Sequence, residues 1–159
     1  MKIYKNFLDK KQFIRFRSIL LDNNFPWYLN YVTLKTKNKY FQMTHTFSNE
    51  KEINSSFFNE ILPILKNLKC KTLLSSKINL LHKTEKIIEH DLHTDYEGKK
   101  NLKTAVYYIN TNNGYTKFID KKVNSEENKM IVFESNTLHT GTSCTDKKYR
   151  ICLNINYYE

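Results

Sequence analysis

A mainly-β fold, an antiparallel barrel or jelly roll braced by helices near the N-terminus, is what this sequence predicts. Three observations carry the prediction. Apolar residues recur at helical spacing only before Cys70; beyond it the period changes to two, in six short runs. Turn-forming residues, rather than interleaved helices, separate those runs, which argues against a parallel sheet. The chain has 159 residues, enough for a single domain with a real hydrophobic core. Residues 1–75 are expected to supply helical support and the first strands, and residues 76–159 the core of the barrel.

The elements follow in order. Asp9 with Gln12 resembles a capping box, and Phe13, Phe16 and Leu20 then fall at helical spacing, so a helix is expected over residues 10–21. Residues 25–34 are aromatic and extended, and residues 40–46 read as another strand. Ile53, Phe57, Ile61, Ile64, Leu65 and Leu68 suit a second helix, with Pro63 demanding a kink or a start just before it. The period-two runs cover residues 76–81, 85–95, 103–110, 115–119, 129–134 and 149–158. Asn113-Gly114 is a tight-turn signal between residues 110 and 115.

Composition excludes several classes. No apolar run approaches the roughly 18 residues of a membrane helix. The first eleven residues are charged and lack a signal-peptide core. Cys70, Cys144 and Cys152 show no paired spacing, which excludes a disulfide scaffold and a CxxC zinc site and suits the cytoplasm. The net charge is +10 and the pI about 9.4, a balance that admits nucleic-acid binding. Yet only three of the 26 basic residues are Arg (Arg15, Arg17 and Arg150), and Lys, Asn and Ile make up 56 of the 159 residues. That bias is expected of A/T-rich codons, so much of the charge reads as codon composition on a solvated surface.

His93-Thr94-Asp95 is the segment that carries chemistry. On a strand, His93 and Asp95 point to one side, about 7 Å apart along the chain. A pair at i and i+2 can supply two cis ligands to one metal, and His139 is the candidate third. Two imidazoles and one carboxylate make the facial triad of non-haem Fe(II) oxygenases, which leaves three coordination positions open. Alone, the tripeptide also reads as an ordinary polar surface strand. His90 is a rival ligand were the stretch helical, and Asp91 shares the parity of His93 and Asp95.

Arg150 opens the last strand. There Ile151, Leu153 and Ile155 form an apolar side, while Arg150, Cys152, Asn154 and Asn156 form a polar one, as in a strand that lines a cavity. In a chain that uses Lys nearly everywhere, an Arg at this place suits a bidentate carboxylate site; an edge-strand salt bridge is the plainer reading.

From Ile78 to the C-terminus the sequence resembles the iron(II)/2-oxoglutarate-dependent dioxygenases, in their prolyl-4-hydroxylase-like branch. The matching pieces are His93-Thr94-Asp95, residues 104–110, residues 113–118, residues 130–135, Leu138-His139 and Arg150. Leu80 and Thr84-Glu85-Lys86 bring it nearest to the compact forms carried by bacteriophages. Departures are Gly114-Tyr115, where many relatives have two glycines, and a longer interval from His139 to Arg150.

The resemblance implies a double-stranded β-helix in which His93, Asp95 and His139 bind Fe(II). It implies that Arg150 grips the distal carboxylate of 2-oxoglutarate, with Tyr108, Thr116 and Asn154 as further co-substrate contacts; Tyr108 also reads as a core tyrosine. The implied activity is hydroxylation of a C–H bond, with O2 consumed and succinate and CO2 released. Peptidyl proline is the first substrate implied, and a small molecule or a nucleic acid the others. Residues 96–101 are expected to form a mobile loop beside the mouth. Trp27, Tyr28 and Tyr31 suit either a peptide groove or plain core packing. Two other classes stay open: a non-catalytic jelly-roll that binds nucleic acid or a protein partner through its basic surface, and a cupin-like Zn or Mn protein. The expected location is the cytoplasm, of the host if the chain is viral.

Overall fold

The structure, a computed structural model, describes residues 1–30 and 41–159. Its elements are β1 (Lys2–Tyr4), α1 (Lys10–Leu20), β2 (Tyr28–Asn30), β3 (Gln42–Ser48), a 3-10 turn (Phe58–Ile61), α2 (Leu62–Asn67), β4 (Thr72–His82), β5 (Lys103–Tyr108), β6 (Tyr115–Phe118), β7 (Lys122–Asn124), β8 (Lys129–Glu134), β9 (His139–Gly141) and β10 (Tyr149–Tyr158). Seven strands form a larger sheet in the order β1-β8-β5-β10-β4-β3-β2, and three form a smaller one in the order β7-β6-β9. All paired strands in both sheets are antiparallel. The architecture is the expected jelly roll.

Two apolar layers follow from the period of two. On one face of the larger sheet, Ala105, Tyr107, Met130, Ile151, Leu153 and Ile155 pack with Phe13, Phe16 and Leu20 of α1 and Ile64 of α2. On the other face Val106, Tyr108, Ile131, Phe133 and Cys152 meet Phe118 and Val123 of the smaller sheet. Odd and even positions of β5 and β10 thus belong to different cores. Asp9 caps α1, its carboxylate accepting from the amides of Lys11 (3.0 Å) and Gln12 (3.1 Å).

Four expectations need correction. The helix expected from Ile53 to Leu68 shrinks to the 3-10 turn and α2. Pro63, lacking an N–H, sits in the first turn of α2, where that hydrogen is not needed. Residues 85–95 do not form a strand. They touch the neighbouring chain through isolated bridges, Glu89 with Thr142 and His93 with His139. Asn113-Gly114 is no hairpin turn, because the strands on its two sides lie in different sheets. Gly114 is needed for space: a Cβ there would lie 2.6 Å from the Ser143 carbonyl oxygen and 2.7 Å from Arg150 Cδ. Of the extended run expected over residues 25–34, only Tyr28–Asn30 is a strand; residues 31–34, Tyr31 among them, and Tyr40 lie outside the described residues.

Candidate metal centre and active-site cavity

The isolated bridge between His93 and His139 builds the centre. Their backbones exchange two hydrogen bonds, His93 N–H to the His139 carbonyl at 3.0 Å and His139 N–H to the His93 carbonyl at 2.9 Å. Side chains of such a directly opposed pair project to the same side. Two residues on, the Asp95 amide donates to the Ser135 carbonyl at 3.1 Å, so the carboxylate returns to the same side. Asp95 Oδ1 then lies 3.7 Å from His93 Nε2 and 3.8 Å from His139 Nε2. The three ligand atoms lie within 4.8 Å of one another.

Tautomers are set by backbone carbonyls. His93 Nδ1–H donates to Asp91 (3.1 Å) and His139 Nδ1–H to Thr137 (2.9 Å). Each Nε2 is therefore left as a lone pair, aimed at a carboxylate oxygen. Burial also lowers the pKa of His139, which favours the neutral ring. Two lone pairs and an anionic oxygen repel one another unless a cation sits between them, so the donor set fits a divalent metal. Asp95 Oδ2 accepts from the Thr104 hydroxyl at 2.9 Å, and Phe133 packs edge-on against His139 with centroids 4.7 Å apart.

The triad opens on a cavity of about 550 Å3 that Thr116, Arg150 and Asn154 also line. Arg150 is 2 % exposed, yet no carboxylate lies within ion-pair distance of it among the described residues. The other two arginines both pair with glutamates, Arg15 with Glu60 at 2.9 Å and Arg17 with Glu127 at 2.7 Å. Instead, Arg150 Nε donates to Ser125 Oγ at 2.8 Å, and its Nη2 lies 3.4 Å from Thr116 Oγ1. Its guanidinium carbon stands 5.6 Å from the centre of the Tyr108 ring. Tyr108 OH donates to Thr116 Oγ1 at 2.8 Å, which leaves the Thr116 hydrogen without an internal acceptor. A buried, fixed guanidinium with only neutral partners is costly unless an anion arrives to pair with it. Cation and hydroxyl together fit a carboxylate.

No family model matches this chain, and no curated protein matches it in sequence. Solved structures match it along nearly its whole length. A Burkholderia pseudomallei oxidoreductase of the 2OG-Fe(II) oxygenase family superposes with a TM-score of 0.71 at 11 % identity, covering 97 % of this chain and 82 % of that one. A Trichoplax adhaerens prolyl hydroxylase, solved with a peptide of a hypoxia-inducible factor, gives 0.72 at 10 % identity, over 99 % and 82 %. A Pseudomonas putida prolyl-4-hydroxylase gives 0.63 at 13 % identity, over 99 % and 92 %.

The fold is that of the 2OG-Fe(II) oxygenases.

Within this oxygenase fold, the residues singled out from the sequence divide as follows. His93, Asp95, His139, Thr116, Arg150 and Asn154 all face one cavity. Tyr108 is fully buried between the sheets, beneath Arg150 and Thr116, and acts on the cavity through them. His90, the rival ligand, also lines the cavity, but its ring is outside the group of converging ligand atoms. Residues 96–101 are tethered: Lys99 Nζ is 3.0 Å from Glu50 and 4.6 Å from the centre of the Tyr96 ring. Trp27 packs beside the helix-side core and donates from its indole nitrogen to the Leu20 carbonyl at 3.1 Å, while Tyr28 is exposed.

Three positions escaped the sequence reading. Thr104 holds Asp95, Ser125 holds Arg150, and Gly114 makes room for Arg150. Thr104 shares the parity of Val106 and Tyr108 and could have been found by it. Ser125 lies outside every run of period two, and nothing local marks it.

Proposed function

We propose that the protein is an Fe(II)- and 2-oxoglutarate-dependent oxygenase that hydroxylates a C–H bond and releases succinate and CO2. The observation that carries this is the coincidence, in one cavity, of a His-Asp-His donor set and a buried arginine without an acidic partner. His93, Asp95 and His139 would hold Fe(II). Arg150, with the Thr116 hydroxyl beside it, would take the distal carboxylate of 2-oxoglutarate, and Asn154 would line the same pocket. When bound, the metal would bind and activate O2, the oxidant, and 2-oxoglutarate, breaking down to succinate and CO2, would supply two of the electrons that O2 takes up.

This chain's residues supply position and shelter. Backbone carbonyls at Asp91 and Thr137 fix the two imidazoles. Thr104 orients the Asp95 carboxylate. Tyr108, whose pKa burial raises well above its ordinary value, stays a neutral donor to Thr116. Phe118 and Phe133 close the wall behind His139 and keep water from that side.

Peptidyl proline is one substrate class, by analogy with prolyl hydroxylases among the similar structures. The three free cysteines favour work in a reducing cytoplasm, and residues 1–159 would act as a single oxygenase domain. No described helix is long and apolar enough to cross a membrane.

Anaerobic titration with Fe(II) and 2-oxoglutarate tests the reading. A weak visible charge-transfer band that saturates near one equivalent of each is expected. A folded protein that binds neither would instead be a non-catalytic jelly-roll. Metal analysis that returned Zn or Mn, with turnover indifferent to oxygen, would favour a cupin-like protein.

A further inference from the structure

The larger sheet extends past the smaller one. β4, β3 and β2 lie beyond β10 in the strand order. Part of the inner face of β3 and β4 is the outer wall of the cavity, where Gln42, Lys77, Asn79 and Leu81 line it beside Asn154 of β10. Register explains the set. Lys77 stands opposite Asn154 and Asn79 opposite Cys152, so both share the face that carries Arg150 and Asn154 further along β10.

The polar groups here differ: Lys77 is exposed at the cavity mouth, whereas Asn79 is buried and incompletely satisfied. Asn79 is 9 % exposed, and its Oδ1 has no hydrogen-bond partner among the described residues. A buried amide left in that state is costly, and such groups in native proteins call for a ligand or a water. Lys77 forms no ion pair among the described residues, and Asp95 is the one carboxylate among the described residues lining the cavity. With Fe(II) and 2-oxoglutarate in place, dication and dianion offset each other, as do Asp95 and Arg150. Among the described residues, the charge left over at the cavity is that of Lys77.

Resting on the oxygenase reading above, we propose that this wall is the subsite for the oxidised substrate, and that it selects a small anionic molecule. The substrate's carboxylate or phosphate pairs with Lys77, and a neighbouring polar group engages the Asn79 amide. A cavity of about 550 Å3 holds 2-oxoglutarate together with one further molecule of amino-acid or nucleotide size. Neither an uncharged segment of polypeptide nor an apolar substrate meets a cation next to an unpartnered amide. Lys77 and Asn79 are thus specificity-determining residues for the substrate and take no part in holding the metal.

The test is titration calorimetry on anaerobic protein loaded with Fe(II) and 2-oxoglutarate. The probes are free L-amino acids and their methyl esters, ribonucleoside 5′-monophosphates and their nucleosides, and a neutral capped proline peptide. At least one acid is expected to bind, with its uncapped anion worth tenfold or more in affinity over its ester or nucleoside. Which arm responds tells carboxylate from phosphate. Lys77→Met is expected to erase that difference, and Asn79→Leu to weaken the acid severalfold, while both variants keep the charge-transfer band. Neutral probes binding as tightly as anionic ones, Lys77→Met binding within twofold of the parent, or no anion binding a protein that shows the band would each overturn the proposal. Absence of the band overturns the oxygenase reading instead, and the same contrast between acids and esters on metal-free protein then decides the Lys77 site.

Discussion

Thr104 illustrates how much of the site depends on single contacts. Its hydroxyl lies 2.9 Å from Asp95 Oδ2 and 2.7 Å from Asn156 Oδ1, so it holds the carboxylate from behind. Loss of such a supporting contact typically weakens metal binding about 10–100-fold. Thr104→Val is therefore expected to raise the Fe(II) Kd by about that factor, measured by anaerobic titration, with the circular dichroism of the parent. An unchanged Kd would remove Thr104 from the site. Arg150 makes the opposite test, of co-substrate rather than metal. A charge-assisted pair is worth about 1.5–3 kcal/mol, or roughly 10–100-fold. Arg150→Lys is expected to raise the KM for 2-oxoglutarate by about that range and to leave Fe(II) affinity within about threefold. At this scale the sequence was informative where chemistry constrains residue type. His93, Asp95, His139 and Arg150 could be found from it. Ser125 and Asn79 could not, because a serine or asparagine acquires its role only from what the fold sets beside it.

Among elements, β10 was the most legible. Its alternation sends Ile151, Leu153 and Ile155 to the helix-side core and Arg150 and Asn154 to the cavity. Residues 85–95 were the least. Their pattern resembles a strand, but they join neither sheet: isolated bridges and single hydrogen bonds tie them to residues 135–143, and His93 and His139 of the candidate triad form one of those bridges. The Asn113-Gly114 dipeptide was read as conformational when its constraint is steric. Gly114→Ala would press a methyl group against the Ser143 carbonyl and Arg150 Cδ. A loss of about 1–3 kcal/mol is expected in urea unfolding, together with weaker 2-oxoglutarate binding. β3 contributes a pH dependence. It carries His45 into the aromatic cluster, where Nδ1–H donates to the Pro26 carbonyl at 2.8 Å and the ring centroid lies 4.5 Å from that of Phe25. Burial lowers its pKa from the ordinary 6.5, so the unfolded chain takes up the proton first as pH falls. The stability His45 contributes is complete above about pH 6.5 and is lost as pH drops through the folded-state value. Urea unfolding of metal-free protein between pH 8 and pH 5 should show stability falling with pH, and His45→Gln should flatten that slope.

For the molecule as a whole, the change of period after Cys70 announced an antiparallel barrel or jelly roll, since short alternating strands joined by turns each carry one apolar face that another sheet, or the same sheet closed on itself, must cover. The overhang of the larger sheet beyond the smaller one was not legible, because sheet order depends on pairings distant in sequence. That overhang gives the cavity its outer wall and, under the proposed function, room for a second molecule beside 2-oxoglutarate. Among the described residues, the surplus of lysine bears on the surface rather than on the centre: those that line the cavity with a charge are Asp95, Arg150 and Lys77. One measurement addresses the central claim most directly, a crystal structure of the protein loaded anaerobically with Fe(II) and 2-oxoglutarate. Metal density within bonding distance of His93 Nε2, Asp95 and His139 Nε2, with the distal carboxylate of the co-substrate on Arg150, is the expected result. Metal bound elsewhere, or a co-substrate that ignores Arg150, would contradict it.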